Sequence, residues 1–147
     1  MIKKADKSDV TVLAKLAEKL WDGHSLSELE REFETLAENP DAACFIKFVD
    51  NQPIGFAQCQ LRMDYVEGTH TSPVGYLEGI FVLKEYRKKG YAREMLEVCK
   101  KWALNKKCAE FASDCEIGND VSRQFHLAMG FEVANRIICF KKMLKKY

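Results

Sequence analysis

Apolar positions recur along this chain with two different periods, and the changes between them mark its elements. "MIKKA" reads as a short first strand. Val10, Leu13, Leu16, Ala17 and Leu20 then fall at helical spacing, with Asp6 or Ser8 placed to cap the helix start. Ser25 followed by Glu28 is a capping-box signature, and Leu29, Phe33 and Leu36 predict a second helix that Asn39-Pro40 stops. "AACFIKFV" and "PIGFAQCQLRM" read as a β-hairpin across Asp50-Asn51-Gln52. After a polar, irregular stretch from Asp64 to Pro73, a further strand begins near Val74. Ala92, Met95, Leu96, Cys99, Trp102 and Ala103 share one face of a helix running to about Leu104. "EFASD" gives a fifth strand, and a helix from about Asp120 ends at Gly130. The tail "EVANRIICFKKML" is strand-like and predicts a final hairpin or bent pair. The order β-α-α-β-β-β-α-β-α-β(β) describes a mixed α/β (α+β) fold with a mostly antiparallel sheet and about four helices.

Length and composition narrow the function classes. A chain of 147 residues without repeats or linkers is expected to form one domain, residues 1–147. Hydrophobic content of 47% and charged content of 31% suit a globular protein, and a net charge of +1 argues against a general nucleic-acid binder. No apolar run approaches the roughly 18–20 residues needed to cross a membrane. "MIKKADKSDV" has basic residues without the apolar stretch of a signal peptide, so the cytoplasm is the expected location. The cysteines Cys44, Cys59, Cys99, Cys108, Cys115 and Cys139 form no C-x-x-C pair, and only His24, His70 and His126 could join them. No metal site is expected, and the thiols read as small buried hydrophobes in a reducing compartment.

The chemistry concentrates in "YLEGIFVLKEYRKKGYAREML", Tyr76 to Leu96. An apolar strand carries one carboxylate, Glu78, then breaks into Arg87-Lys88-Lys89-Gly90 and resumes as a helix. A glycine turn between strand and helix presents backbone N–H groups at the positive end of the helix dipole, a ready anion site. The lysines and Arg87 add a local positive field suited to a pyrophosphate. The stretch is not a P-loop and lacks the G-x-G-x-x-G of a dinucleotide fold. On its own it also fits an ordinary charged turn.

Arg87-Lys88-Lys89-Gly90-Tyr91-Ala92 resembles the R/Q-x-x-G-x-G/A motif of the GCN5-related N-acetyltransferase (GNAT) superfamily, which cradles the pyrophosphate of acetyl-CoA. Asn119, Phe125, His126 and Met129-Gly130-Phe131 resemble that superfamily's second helix motif. Within it, "KLWDGH", "DYVEGTHTSPVGYLEGIFVL", "EFASD" and "HLAMGFE" look like the chromosomal-type aminoglycoside 6′-N-acetyltransferases, from the first helix to the C-terminus. The resemblance implies a GNAT fold, acetyl-CoA as co-substrate, acetylation of the drug's 6′-amino group with antibiotic resistance as the outcome, and a homodimer with the C-terminal strands contributing. Carried over position by position, Trp21, His24, Tyr65, Glu78 and Asp114 would line the aminoglycoside pocket. Asn119 would contact acetyl-CoA. Ile80 and Val82 would offer backbone groups to its pantetheine arm, with Lys88, Lys89, Gly90, Ala92 and Arg93 around its phosphates. Relatives are expected to carry a glutamate where Asn135 precedes Arg136, so a substrate ammonium would lose one countercharge there.

These residues make chemical sense together. Aminoglycosides are polycations, which Glu78, Asp114, Asp64 and Glu116 would attract, while Trp21 and Tyr65 could pack on sugar faces and ammonium groups. Acetyl transfer needs a neutral amine, so Glu78 (through water) or Asp114 would take the proton in a direct attack within a ternary complex. N–H groups near Val82 would stabilise the oxyanion, and His126 stands where the superfamily often has a tyrosine to protonate the departing thiolate. Two other readings share the cradle: an acetyltransferase for a polyamine or other small amine, and a non-catalytic acyl-CoA-binding domain.

Overall fold

The computed structural model describes residues 1–145. The chain divides into two units, Met1–Asp114 and the part from Cys115 onward. The first holds a sheet in the order β1-β2-β3-β4-β5. Its strands are β1 (Ile2–Lys4), β2 (Ala42–Val49), β3 (Gln52–Arg62), β4 (Val74–Val82) and β5 (Phe111–Ser113), with helices α1 (Val10–Ala17), α2 (Leu26–Glu38) and α3 (Tyr91–Asn105). The first four strands pair antiparallel and β5 joins β4 in parallel. The mixed, mostly antiparallel sheet expected from the sequence is therefore present.

Local chemistry explains the element ends. Asp6 caps a 3-10 turn at Lys7–Asp9 that leads into α1, and the reciprocal capping box forms there, with Asp9 as partner. At α2 only half of the expected box forms: Ser25 Oγ accepts from the Glu28 N–H at 3.2 Å. The β2–β3 hairpin turns on Asp50 and Asn51, both at positive φ (49° and 64°), a geometry matched to the strand twist.

Both faces of the sheet are covered. Side chains alternate across a strand, so Cys44, Ile46 and Phe56 point to α1 and α2, where they meet Leu13, Leu29 and Phe33. Phe33 and Phe56 stack edge to face, with centroids 6.1 Å apart. On the other face Lys47 reaches Glu94 of α3 at 3.2 Å and lies 5.0 Å over the Tyr91 ring. Phe56, Leu29, Ile46, Met95 and Leu96 are fully buried, each worth about 1.5–3 kcal/mol.

Among the described residues the second unit carries one helix, α4 (Asp120–Ala128). Gly130 follows at φ 95°, the left-handed closure predicted for the helix end. The predicted strands beyond it are absent among the described residues: 131–145 have no regular secondary structure. The segment is apolar enough for a strand, but Val133, Ile137, Ile138 and Phe140 are 56%, 57%, 76% and 90% exposed. A strand needs a neighbour for its N–H and C=O groups, and the order β1 to β5 includes none for it. The thiols correct a second expectation. Cys44, Cys59, Cys99 and Cys108 are buried, but Cys115 and Cys139 are exposed, and all six are free.

Candidate active site

The site is built where β4 and β5 part. Their pairing covers only Gly75–Phe111, Tyr76–Ala112 and Leu77–Ser113, closed by the Ser113 hydroxyl donating to the Leu77 carbonyl at 3.2 Å. β4 runs on to Val82, so its later residues lie beyond the paired stretch of β5. An exposed strand edge can bind an extended guest through its backbone, the role expected of Ile80 and Val82.

Glu78 sits in a β-bulge. Across the β3–β4 ladder Gln58 faces Gly79 and Cys59 faces Leu77, which leaves Glu78 as the extra residue. The insertion reverses the alternation of β4. Before it, Gly75 faces Ala103 of α3. After it, Gly79 faces the Trp21 ring on the opposite side, and Phe81 packs against the α1–α2 core. The acid is tolerated inside an apolar strand because it marks this phase change and keeps partial access to water, its side chain being 21% exposed.

Its partner was not expected. Arg62, at the end of β3, grips both Glu78 oxygens: Nη2 lies 2.9 Å from Oε1 and 3.1 Å from Oε2, and Nε lies 3.2 Å from Oε2. The same guanidinium lies 3.5 Å over the Tyr76 ring, and the Tyr76 hydroxyl donates to Asp114. Burial first, then donation to Asp114, pushes the Tyr76 phenol well above its usual pKa, so it remains a proton donor to that carboxylate. Burial opposes the charge on Arg62, but hydrogen bonding to Glu78 prevails and its pKa is raised. Glu78 and Asp114 are thus joined through two residues that sequence reasoning missed. The available signal was period two, which puts Tyr76 on the strand ahead of Glu78. The register bringing Arg62 alongside depends on the intervening loop and is not visible in the sequence.

Trp21 follows α1, half-buried, edge to face on Phe56 (5.8 Å, 68°) and against Gly79. This puts it beside the Glu78 bulge. His24 stands at the approach to α2, exposed, with Nδ1 3.7 Å from Glu28. Tyr65 is 75% exposed on the β3–β4 loop, its hydroxyl accepting from Gly68 N–H at 3.3 Å. Glu110 ties that loop to the start of β5, accepting from the His70 and Thr71 N–H groups at 2.9 and 2.8 Å and from the Thr71 hydroxyl. The structure therefore brings Trp21, Glu78 and Asp114 into one neighbourhood, with Tyr65 on the adjoining loop and His24 on the turn beyond Trp21.

The basic turn has the form of an anion cradle. Gly90 is the N-cap of α3 at φ 85°, Lys88 is also left-handed at φ 64°, and no side chain caps this helix start. Alternating left-handed residues turn successive N–H groups inward, where an anion completes them. Lys88, Lys89 and Arg93 are exposed there, and Ala92 is half-buried in the first turn. Arg87 serves the backbone instead: its Nε donates to the Val82 carbonyl at 2.8 Å, tying the turn to the strand end. It lies 5.5 Å from the Phe81 ring.

In the second unit Asn119 caps α4, its Oδ1 accepting from the Ser122 N–H at 3.1 Å. His126 Nδ1 lies 2.7 Å from the Ser122 carbonyl, which can only accept, so Nδ1 carries the proton. A neutral His126 then presents Nε2 as an acceptor, and donation from Nε2 requires the imidazolium. Its ring packs between Phe125 and Phe131, at 5.6 and 5.2 Å. Asn135 Oδ1 accepts from the Arg136 N–H at 2.7 Å.

A cavity of about 270 Å³ lies elsewhere, among Lys4, Leu13, Phe33, Pro40 and Lys106, and contains none of the candidate residues. No helix among the described residues is long and apolar enough to cross a membrane.

Comparison with known proteins agrees with this geometry. The model of the acetyltransferase (GNAT) family matches residues 13–131. The chain is 37% identical over 141 residues to aminoglycoside N(6')-acetyltransferase type 1 of Salmonella enteritidis, covering 96% of this chain and 97% of the other. It is 35% identical to the enzyme of that name from Acinetobacter haemolyticus, covering 97% and 98%. Among solved structures, AAC(6')-Iy in complex with the bisubstrate analogue CoA-S-monomethyl-acetylneamine superposes with a TM-score of 0.93 at 36% identity, covering 97% of each chain. The aminoglycoside 6'-N-acetyltransferase AAC(6')-IG from Acinetobacter haemolyticus gives 0.94 at 33% identity, covering 99% of each.

Proposed function

The chain belongs to the acetyltransferase (GNAT) family, and from that premise we propose that it transfers the acetyl group of acetyl-CoA to the 6′-amino group of aminoglycosides, inactivating them as antibiotics. The observation that carries this reading is the extent of the likeness, 37% identity over 141 residues to one relative and a TM-score of 0.93 over 97% of each chain to a solved structure.

Each part has a physical role. The left-handed turn at Lys88–Gly90 and the start of α3 hold the donor's phosphates, with Lys88, Lys89, Ala92 and Arg93 around them. The β4 edge at Ile80 and Val82 holds the pantetheine arm. Trp21, Tyr65 and His24 wall the drug's rings, and Glu78 and Asp114 supply the countercharge for its ammonium groups. The reacting amine gives up its proton to Asp114 or, through water, to Glu78, and attacks the thioester directly. Asn119 contacts acetyl-CoA, and His126 as imidazolium supplies the proton to the thiolate. Asn135 lines the acceptor side where a third carboxylate would otherwise sit.

We propose that the two units act as one catalytic domain, residues 1–147, because the family model crosses the boundary between them. The acting form is a homodimer in the cytoplasm. The apolar C-terminal segment, with Ile138 76% and Leu144 88% exposed, supports pairing between copies, and the buried free thiols support a reducing compartment. Incubation with acetyl-CoA and kanamycin, with the product solved by NMR, tests the acceptor. A 6′-N-acetyl product is expected. Acetyl on another nitrogen, or turnover with spermidine alone, overturns the assignment.

A further inference from the structure

We propose that Arg62 determines acceptor selectivity, as a built-in cation that competes with the acceptor's ammonium groups for Glu78 and weakens the site's pull on highly charged substrates. The inference rests on the acceptor reading above and adds a residue to it. Three features carry it. Arg62 takes both oxygens of Glu78, so the carboxylate's best hydrogen-bonding directions are already occupied by a bidentate donor. The Arg62 side chain, at 43% exposure, is more open to solvent than the Glu78 side chain at 21%, so an incoming cation meets Arg62 together with Glu78. The stacking at 3.5 Å on Tyr76, whose hydroxyl holds Asp114, sets the same positive charge beside the second carboxylate.

Charge counting gives the consequence. Two carboxylates and one guanidinium leave this cluster with one net negative charge, where the carboxylates alone would leave two. An ammonium that binds Glu78 must share it with Arg62 or displace the guanidinium to water. The half-exposed position of Arg62 lets the guanidinium swing outward to water, at the loss of its stacking on the Tyr76 ring.

The test replaces Arg62 by Met, which keeps a packing stem, and by Lys, which keeps the charge without the fork. Wild-type turnover with kanamycin, neomycin and spermidine is measured first, and that result alone decides the acceptor reading. The Arg62 comparison is then made with whichever cation is acetylated, so the two failures stay distinct. For R62M the dissociation constant of the acceptor, measured by calorimetry with CoA present, should fall about two- to fivefold, the scale of one partly exposed ion pair. The decline of kcat/KM with added salt should steepen, and the gain should be larger for neomycin than for the less charged kanamycin. R62K should fall between wild type and R62M. If R62M binds more weakly, or equally well, with an unchanged salt dependence, Arg62 merely scaffolds Glu78 and the proposal is wrong. Should R62M fail to fold, R62K decides alone: tighter binding with a steeper salt dependence supports the proposal, and anything else overturns it.

Discussion

Gly79→Ala probes the proposed acceptor wall through its contact with Trp21. A Cβ at this position would lie 2.5 Å from Trp21 Cζ2 and 2.9 Å from Cη2, with Leu20 Cδ2 at 3.5 Å. Carbon atoms in contact sit about 3.5–4.0 Å apart, so the indole must retreat by about 1 Å. Forced to stay, it costs about 1–3 kcal/mol as overpacking. Free to move, it gives up its edge-to-face contact with Phe56, worth about 0.5–1.5 kcal/mol. Either way Tm should fall by about 2–4 °C for each kcal/mol lost. On the proposed acceptor role of Trp21, half-buried at a chain turn, its displacement disturbs the acceptor side. The acceptor KM should therefore rise about 5- to 30-fold, the equivalent of one or two kcal/mol, while the acetyl-CoA KM stays within about twofold. Trp21→Phe removes the clashing ring atoms, so G79A/W21F should recover Tm without recovering the acceptor KM. An acetyl-CoA KM that moves as far as the acceptor KM would refute the placement of Trp21 on the acceptor wall. An unchanged Tm would refute the clash itself.

Gly90→Val puts a β-branched residue at φ 85°, where the cradle and the helix start are set together. The acetyl-CoA KM should rise about tenfold or more, corresponding to roughly 1–2 kcal/mol of left-handed strain; a rise confined to the acceptor KM would remove the cradle assignment. Glu110 gives a pH dependence. Hydrogen bonds from the Thr71 side chain, then the His70 N–H, hold its folded-state pKa below the usual carboxylate range. A depressed pKa contributes stability above the unfolded value and loses it as pH falls through the folded one, so the anchor should weaken below about pH 4. Protection of the residue 63–73 amides against hydrogen exchange, taken relative to the intrinsic rate at each pH, should fall there in wild type and be low at every pH in E110Q. Equal protection in the two proteins at neutral pH would show that Glu110 does not hold the loop.

Legibility followed locality. Helix caps at Asp6 and Ser25, the Asp50–Asn51 turn and the Gly90 helix start could be read because each depends on a few neighbouring residues. The tail failed because a strand is a property of two segments, and apolar sequence supplies only one of them. The charge of Arg87 is visible in the sequence, while its hydrogen bond to Val82, five residues back across the turn, is not.

The bulge at Glu78 shows how much of the site depends on a single inserted residue. Without it, the side of β4 that buries Val74 and Tyr76 would continue through Glu78, Ile80 and Val82, and Phe81 would turn away from Phe56 and Trp21. With it, Phe81 enters the core, and Gly79 opens the space that the Trp21 ring fills. Ile80 shifts to the other face of the strand. The carboxylate, the aromatic ring at Trp21 and the strand edge beyond β5 are therefore coupled: deleting Glu78 would lose one charge and also invert the remainder of β4. Replacing it by Gln keeps the phase and removes only the charge. The two changes separate the residue's chemical role from its geometric one, because only the deletion should cost the core its Phe81 contacts and lower Tm.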